Sequence, residues 1–144
     1  MDWTEHYRKL ERMYRTAPIN DFFQPRILVE KGRCEIVILA RPELHHAAHA
    51  VHGATYFKAL DDAAFFAVQS QVESFFVVTA NYNLFLERPV QTGLMRAVGE
   101  VVMAGKNLFV AQAVLTDDQG RELARGGGNF VRSGIRLTPE IGYA

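Results

Sequence analysis

Residues 53–72 read GATYFKALDDAAFFAVQSQV, and this stretch decides the architecture. It holds no proline and no internal glycine, and Ala, Leu and Phe recur on nearly every side of the helix it predicts. A helix that is apolar almost all round has to be enclosed by other elements. The segments downstream supply the enclosure: 75–86, 94–104, 108–116 and 122–131 are each extended and β-rich. Turn residues separate them at Arg88-Pro89 with Gly93, at Gly105-Lys106-Asn107 and at Asp117-Asp118-Gln119-Gly120. Connections this short between consecutive strands require antiparallel pairing. Upstream, 26–30 and 33–40 read as two more strands around Lys31-Gly32, the second largely buried because Cys34, Ile36 and Ile38 alternate with Glu35, Val37 and Leu39.

Further out, Trp3, Tyr7, Leu10 and Tyr14 stand at helical spacing among charges, which predicts an amphipathic helix over about 3–15, capped by Asp2 or Thr4. Residues 41–52 carry no period and hold four of the five histidines, so they read as a loop. The tail after about residue 133 is unpatterned and is expected to be loose. The expectation is one α+β domain over 1–144: an antiparallel sheet of five to six strands curled around one long central helix, with an extra N-terminal helix. A small sheet of this kind leaves an edge strand that a second subunit can continue.

Composition narrows the function. Apolar residues make up 49% of the 144-residue chain and charged residues 22%, ordinary values for a globular domain. Sixteen basic residues balance sixteen acidic ones, so nucleic acid is not expected as a partner. No apolar run is long enough to span a membrane. The start MDWTEHYRKLERMYR is too charged for a secretory signal. A single cysteine, Cys34, leaves no internal disulfide, and a cytoplasmic location is expected.

Four constellations carry candidate chemistry. His52-Gly53 opens the central helix, where the first N–H groups lack internal partners and a glycine lets another group approach. It is either a plain helix start or a donor site for a carbonyl oxygen that becomes an oxyanion. Asp61-Asp62 lies mid-helix, with Phe57 and Phe65 one turn to either side of Asp61. An ionised carboxylate in apolar company needs a partner, and Lys58 is within reach of Asp61 at i+3 or of Asp62 at i+4. The alternative is a partly exposed polar face carrying all three. His45, His46, His49 and His52 are spaced like metal ligands, but no cysteine or assigned carboxylate completes a set; neither a metal nor another cofactor is expected. Thr79, Asn81 and Asn83 share one face of a regular strand, which places them away from the central helix if Ala80, Tyr82, Leu84 and Leu86 face it. Cys34 sits in an apolar strand unsuited to a thiolate, and Gly126-Gly127-Gly128 reads as a bulge or a close backbone approach.

Together these residues resemble the hotdog-fold acyl-CoA thioesterases, in particular the phenylacetate-pathway (PaaI-like) branch of the 4-hydroxybenzoyl-CoA thioesterase superfamily. The resemblance runs from about residue 46 to 126 and rests on an ordered set. His52-Gly53 is followed by Asp61, then Thr79, then Pro89 and Gly93, Gly105-Lys106, and Gly120 with Ala124-x-Gly126. It implies a curled sheet around one helix, Asp61 as nucleophile or general base, and the Gly53 amide as oxyanion donor helped by His52. It also implies that Thr79 orients the water or the carboxylate, and that His46, His49, Ala54 and Asn81 contact substrate. The chain departs from the family in having His46 where Asn is usual, His49 where Gly is usual, and Ala54 for the second Gly. The activity implied is hydrolysis of an acyl-CoA in a homodimer or a dimer of dimers. A non-catalytic acyl-CoA-binding or sensing protein is the alternative. A hotdog dehydratase or hydratase fits less well, because the proline-rich segments associated with those enzymes are absent.

Overall fold

The computed structural model describes residues 2–144. Helix α1 spans Trp3–Thr16, with the Asp2 carboxylate accepting the Thr4 and Glu5 N–H groups as its N-cap. A short helix α2, Asn20–Phe23, follows. Strands β1 (Arg26–Glu30) and β2 (Arg33–Ala40) form a hairpin, and a 3-10 turn at Pro42–Leu44 leads into the histidine loop. Helix α3 is Gly53–Gln69. Strands β3 (Phe75–Leu86), β4 (Gly93–Ala104), β5 (Leu108–Thr116) and β6 (Glu122–Arg136) complete the chain, before a 3-10 turn at Pro139–Ile141.

All six strands form one antiparallel sheet in the order β1-β2-β4-β5-β6-β3, curled around α3. The core lies between them. Leu60, Ala63, Ala64 and Ala67 of α3 are fully buried against Ile36, Ile38, Met95, Leu115 and Phe130 of the strands. Burial of each large side chain contributes about 1.5–3 kcal/mol. The helix backbone packs tightly on β4 at Gly99, where a Cβ would lie 2.3 Å from the Ala63 backbone.

Helix α3 ends at Gln69, three residues before its apolar pattern does. The buried Gln69 amide donates to Val72 and Phe75 carbonyls and accepts the Val77 N–H, and so steers the chain from helix into β3. Its polarity, read as one more helical position, is a turn device. The Gly126-Gly127-Gly128 run is a close approach: a Cβ at Gly128 would stand 2.1 Å from the Asn81 carbonyl of β3, and one at Gly126 2.7 Å from the Tyr82 ring. The short α2 fills the stretch between α1 and β1.

The tail expectation is corrected. Strand β6 continues to Arg136, and the segment beyond it docks on α1. The Tyr143 hydroxyl lies 2.7 Å from His6 Nδ1, and Gly142 packs on Met13 and Thr16. No periodicity marks this segment because single contacts to α1, rather than a repeating face, hold it.

The two margins of the sheet differ. Helix α1 runs beside β1, where Glu11 accepts the Val29 N–H at 2.9 Å and Arg8 donates to the Val29 carbonyl at 2.9 Å. At the other margin β3 pairs, among the described residues, only with β6 and ends in the exposed Phe85 and Leu86. Among the described residues, no helix is long and apolar enough to cross a membrane.

Candidate functional site

Asp61 lies in the middle of α3, on the flank between its buried stripe and solvent. Its Oδ1 accepts a hydrogen bond of 2.9 Å from the Thr79 hydroxyl of β3. This contact depends on an irregularity. Thr79 pairs with Phe130 and Asn81 with Asn129, so Ala80 is an extra residue in β3. A β-bulge of this kind reverses which side chains face the core. Val77 and Thr79 therefore face α3 before it, while Tyr82 and Leu84 pack against the core after it. The expectation that Thr79 shares a face with Asn81 and Asn83 is overturned at this bulge; only strict alternation would have put them together.

The surroundings set the chemistry of Asp61. Burial raises its carboxyl to about 6, and the neighbouring Asp62 charge pushes the same way. The Thr79 hydrogen bond and the Lys58 charge oppose the shift. Of the two pairings open to Lys58, the i+4 one forms: Nζ lies 2.6 Å from Asp62 Oδ2. The Tyr14 hydroxyl donates to the same oxygen at 2.6 Å. Asp61 and Thr79 line a cavity of about 900 Å³, whose apolar wall includes Phe65, Phe76, Ile19 and Ile135. The connection after α1 and the segment 139–142 form its remaining sides.

The second cluster sits at the N-terminus of α3. His52 is the N-cap, and its Nδ1 accepts the Ala54 N–H at 2.9 Å, which leaves the proton on Nε2. The Gly53 N–H donates to no acceptor among the described residues. Leu86 Cδ1 of β3 stands 3.0 Å from where a Gly53 Cβ would be. His46 lies nearby, its ring 6.5 Å from that of His52, and its Nδ1 accepts the Ala48 N–H. His49 is exposed and holds a left-handed backbone, φ 65°, a conformation that glycine adopts more readily than histidine. Ala54 is exposed beside them.

Within one chain the structure thus brings Asp61 to Thr79, and His46, His49, His52, Gly53 and Ala54 to one another. The two groups do not meet: eight residues of helix at ~1.5 Å rise hold Gly53 and Asp61 roughly 12 Å apart. Asn81 stands on the outer face, where its Oδ1 accepts the Asn129 N–H at 3.0 Å. Among the described residues, no three His, Cys, Asp or Glu side chains are grouped to hold a metal ion. Sequence reasoning missed the Tyr14–Asp62 link; helical spacing marked Tyr14 as apolar surface and said nothing of where its hydroxyl ends. It also missed the Tyr82 hydroxyl, which is buried without a partner among the described residues and has its pKa raised by burial and, second, by the nearby Asp61 charge.

A family model described as the thioesterase superfamily matches residues 48–124, more than half of the chain. Among solved structures the chain is similar to the E. coli PaaI protein from the phenylacetic acid degradation operon, at 19% identity and a TM-score of 0.85, with 94% of this chain and 98% of that one covered. A phenylacetic acid degradation-related protein from Ralstonia eutropha shares 22% identity at a TM-score of 0.77, over 88% of this chain and 98% of that one. A thioesterase from Haemophilus influenzae shares 14% at a TM-score of 0.78, over 85% and 87%. At these identities the likenesses establish the hotdog fold. No curated protein matches the sequence.

Proposed function

The chain belongs to the thioesterase superfamily, and from that premise we propose that it hydrolyses an acyl-CoA thioester to the free acid and CoA, with Asp61 as the catalytic carboxylate. The observation that carries the reading is the Asp61 carboxylate itself: partly buried, fixed by Thr79 and set in the wall of an apolar cavity. A carboxyl raised to about 6 is ionised at neutral pH yet basic enough to work. As general base it removes a proton from water as the water oxygen adds to the thioester carbon; as nucleophile it adds directly, and water then cleaves the acyl-enzyme. Either way the C–S bond breaks and the CoA sulfur leaves as thiolate. Thr79 holds one carboxylate oxygen, which directs the other toward the reacting atoms. The open Gly53 N–H at the positive end of α3 is the donor for the oxyanion, with His52 beside it. His46, His49, Ala54 and Asn81 are assigned to substrate contact.

The roughly 12 Å between Gly53 and Asp61 supports a site shared by two chains, because an oxyanion donor must lie ~3 Å from the oxygen it holds. Two copies of α3 side by side and antiparallel bring residue 53 of one near residue 61 of the other, and the open β3 margin offers the surface for such a pair. In this reading the working unit is a homodimer or a dimer of dimers.

The test is thiol release from a panel of acyl-CoAs, with Asp61→Asn as control. Release by the wild type and none by the variant is expected; equal rates would overturn the assignment. Mixing Asp61→Asn with a variant bearing a bulky residue at Gly53 then tests sharing, since one site of a mixed pair carries both lesions and the other neither. Recovery on subunit exchange is expected, and its failure despite exchange overturns the shared site. A non-catalytic acyl-CoA-binding role is favoured by one observation, His46 in place of the usual Asn, and tight binding with no thiol release across the panel would establish it.

A further inference from the structure

We propose that Lys58, Asp62 and Tyr14 form a charge-setting network beneath Asp61, in which Lys58 cancels Asp62 and Tyr14 holds that pair in place, so that Asp61 works as a single carboxylate. The inference rests on the reading of Asp61 as the catalytic carboxylate and concerns residues to which that reading gives no role.

The geometry is convergent. Lys58 Nζ and the Tyr14 hydroxyl meet on one oxygen, Asp62 Oδ2, each at 2.6 Å. The pair is sheltered: the side chains of Lys58 and Asp62 are 11% and 18% exposed. Two aromatic rings flank the ammonium, with Nζ 5.1 Å from the Tyr14 centroid and 5.2 Å from that of Phe23. Tyr14 is itself fixed, edge-on to Phe66 at 5.0 Å. A surface lysine pair is mobile and screened, whereas this one is gripped by α1, α2 and α3 together.

The consequence for Asp61 follows from the charges around it. On α3 it neighbours Asp62 and Lys58; α1 contributes Tyr14, β3 contributes Thr79 and Tyr82, and Glu140 faces the same cavity. Cys34 of β2 lies behind Asp62, fully buried, with its thiol pKa raised by burial. Lys58 is therefore the one cation among these groups. Adjacent carboxylates in a half-buried place resist double ionisation, and the first effect is to protonate one of them. With Lys58 bound to Asp62 the pair is neutral, and Asp61 keeps its charge near neutral pH despite burial.

The experiment follows the Asp61 side-chain carbon by ¹³C NMR as pH is varied, with the resonance assigned from the Asp61→Asn spectrum. Lys58→Met is expected to raise its midpoint and Asp62→Asn to lower it, by on the order of one pH unit each. The double variant Lys58→Met/Asp62→Asn is expected to return it toward wild type, and Lys58→Arg to leave it near wild type. Tyr14→Phe is expected to move it upward by less than Lys58→Met. The acid limb of kcat/KM should move in the same sense. A structural role alone would not give opposite shifts that cancel. An unmoved midpoint in both single variants, shifts of the same sign, or a double variant that stays displaced would overturn the network. Full thiol release by Asp61→Asn would instead overturn the assignment of Asp61, and the titration would still report on the network.

Discussion

Asp61 keeps its charge in surroundings that oppose it, and this has separable consequences for activity and stability. Its carboxyl is raised from 3.8 to about 6. The folded state therefore holds a proton that the unfolded chain releases earlier, and stability falls as pH rises from about 4 to about 6. Asp61→Asn removes that penalty while keeping an acceptor for Thr79. The variant is expected to be more stable than wild type by about 1–3 kcal/mol above pH 6, with the difference vanishing below pH 4; denaturant melts at several pH values check this. Wild-type kcat/KM should rise with pH through about 6, where the carboxylate form takes over. Thr79→Val removes the hydrogen bond that lowers the Asp61 pKa, so it should move that limb upward and reduce kcat/KM about tenfold or more, while Thr79→Ser restores both. The sequence singled out Asp61 as a candidate because it lies between two phenylalanines on an apolar helix, but left its burial open, and the structure places it between the buried stripe and solvent. The Thr79 contact was not legible, since an inserted residue leaves no mark in a run of β-formers.

The elements around Asp61 are placed by a few close approaches. At Gly99 the space a side chain would occupy is taken by the α3 backbone at Ala63, which cannot swing aside as a side chain would. Gly99→Ala is expected to destabilise the fold by about 1–3 kcal/mol, read as a lower urea midpoint with little change in its slope. Strands β1, β2, β3 and β5 stood where alternation and turn residues placed them, because those signals are local. The end of α3 was displaced because Gln69 is committed to backbone groups of the following turn. Strand β6 ran past 131 to Arg136 because its pairing with β3, a tertiary fact, extends it. The Ala80 bulge belongs to the same class: it exists in the register between two strands, not in either strand alone.

At the scale of the molecule, both ends of the chain converge on the cavity beside Asp61. Residues 13–20 form one wall and residues 139–142 another. The Tyr143 hydroxyl and the Gln69 carbonyl engage the two nitrogens of the buried His6. Tyr143→Phe leaves one of those nitrogens unpaired, and a loss of about 1–3 kcal/mol is expected, visible as a lower melting temperature. Burial also lowers the His6 pKa, so this clasp favours the neutral imidazole and weakens as pH falls below about 6.5. None of this was legible, because a terminal segment that docks through one tyrosine and one glycine has no period to read. One feature of the sheet reaches beyond the single chain. Glu11 and Arg8 occupy the hydrogen-bonding positions of Val29 that another strand would need, whereas β3 is covered at its outer margin only at its start, where Gln69 holds the Phe75 carbonyl and the Val77 N–H, and among the described residues no strand lies beyond it. Such a sheet has one sealed end and one largely uncovered end. In the paired arrangement proposed above, a copy added through β3 would present its sealed end outward, so strand-by-strand growth would stop there, and the helix that would close the route to a fibre is the one that walls the cavity.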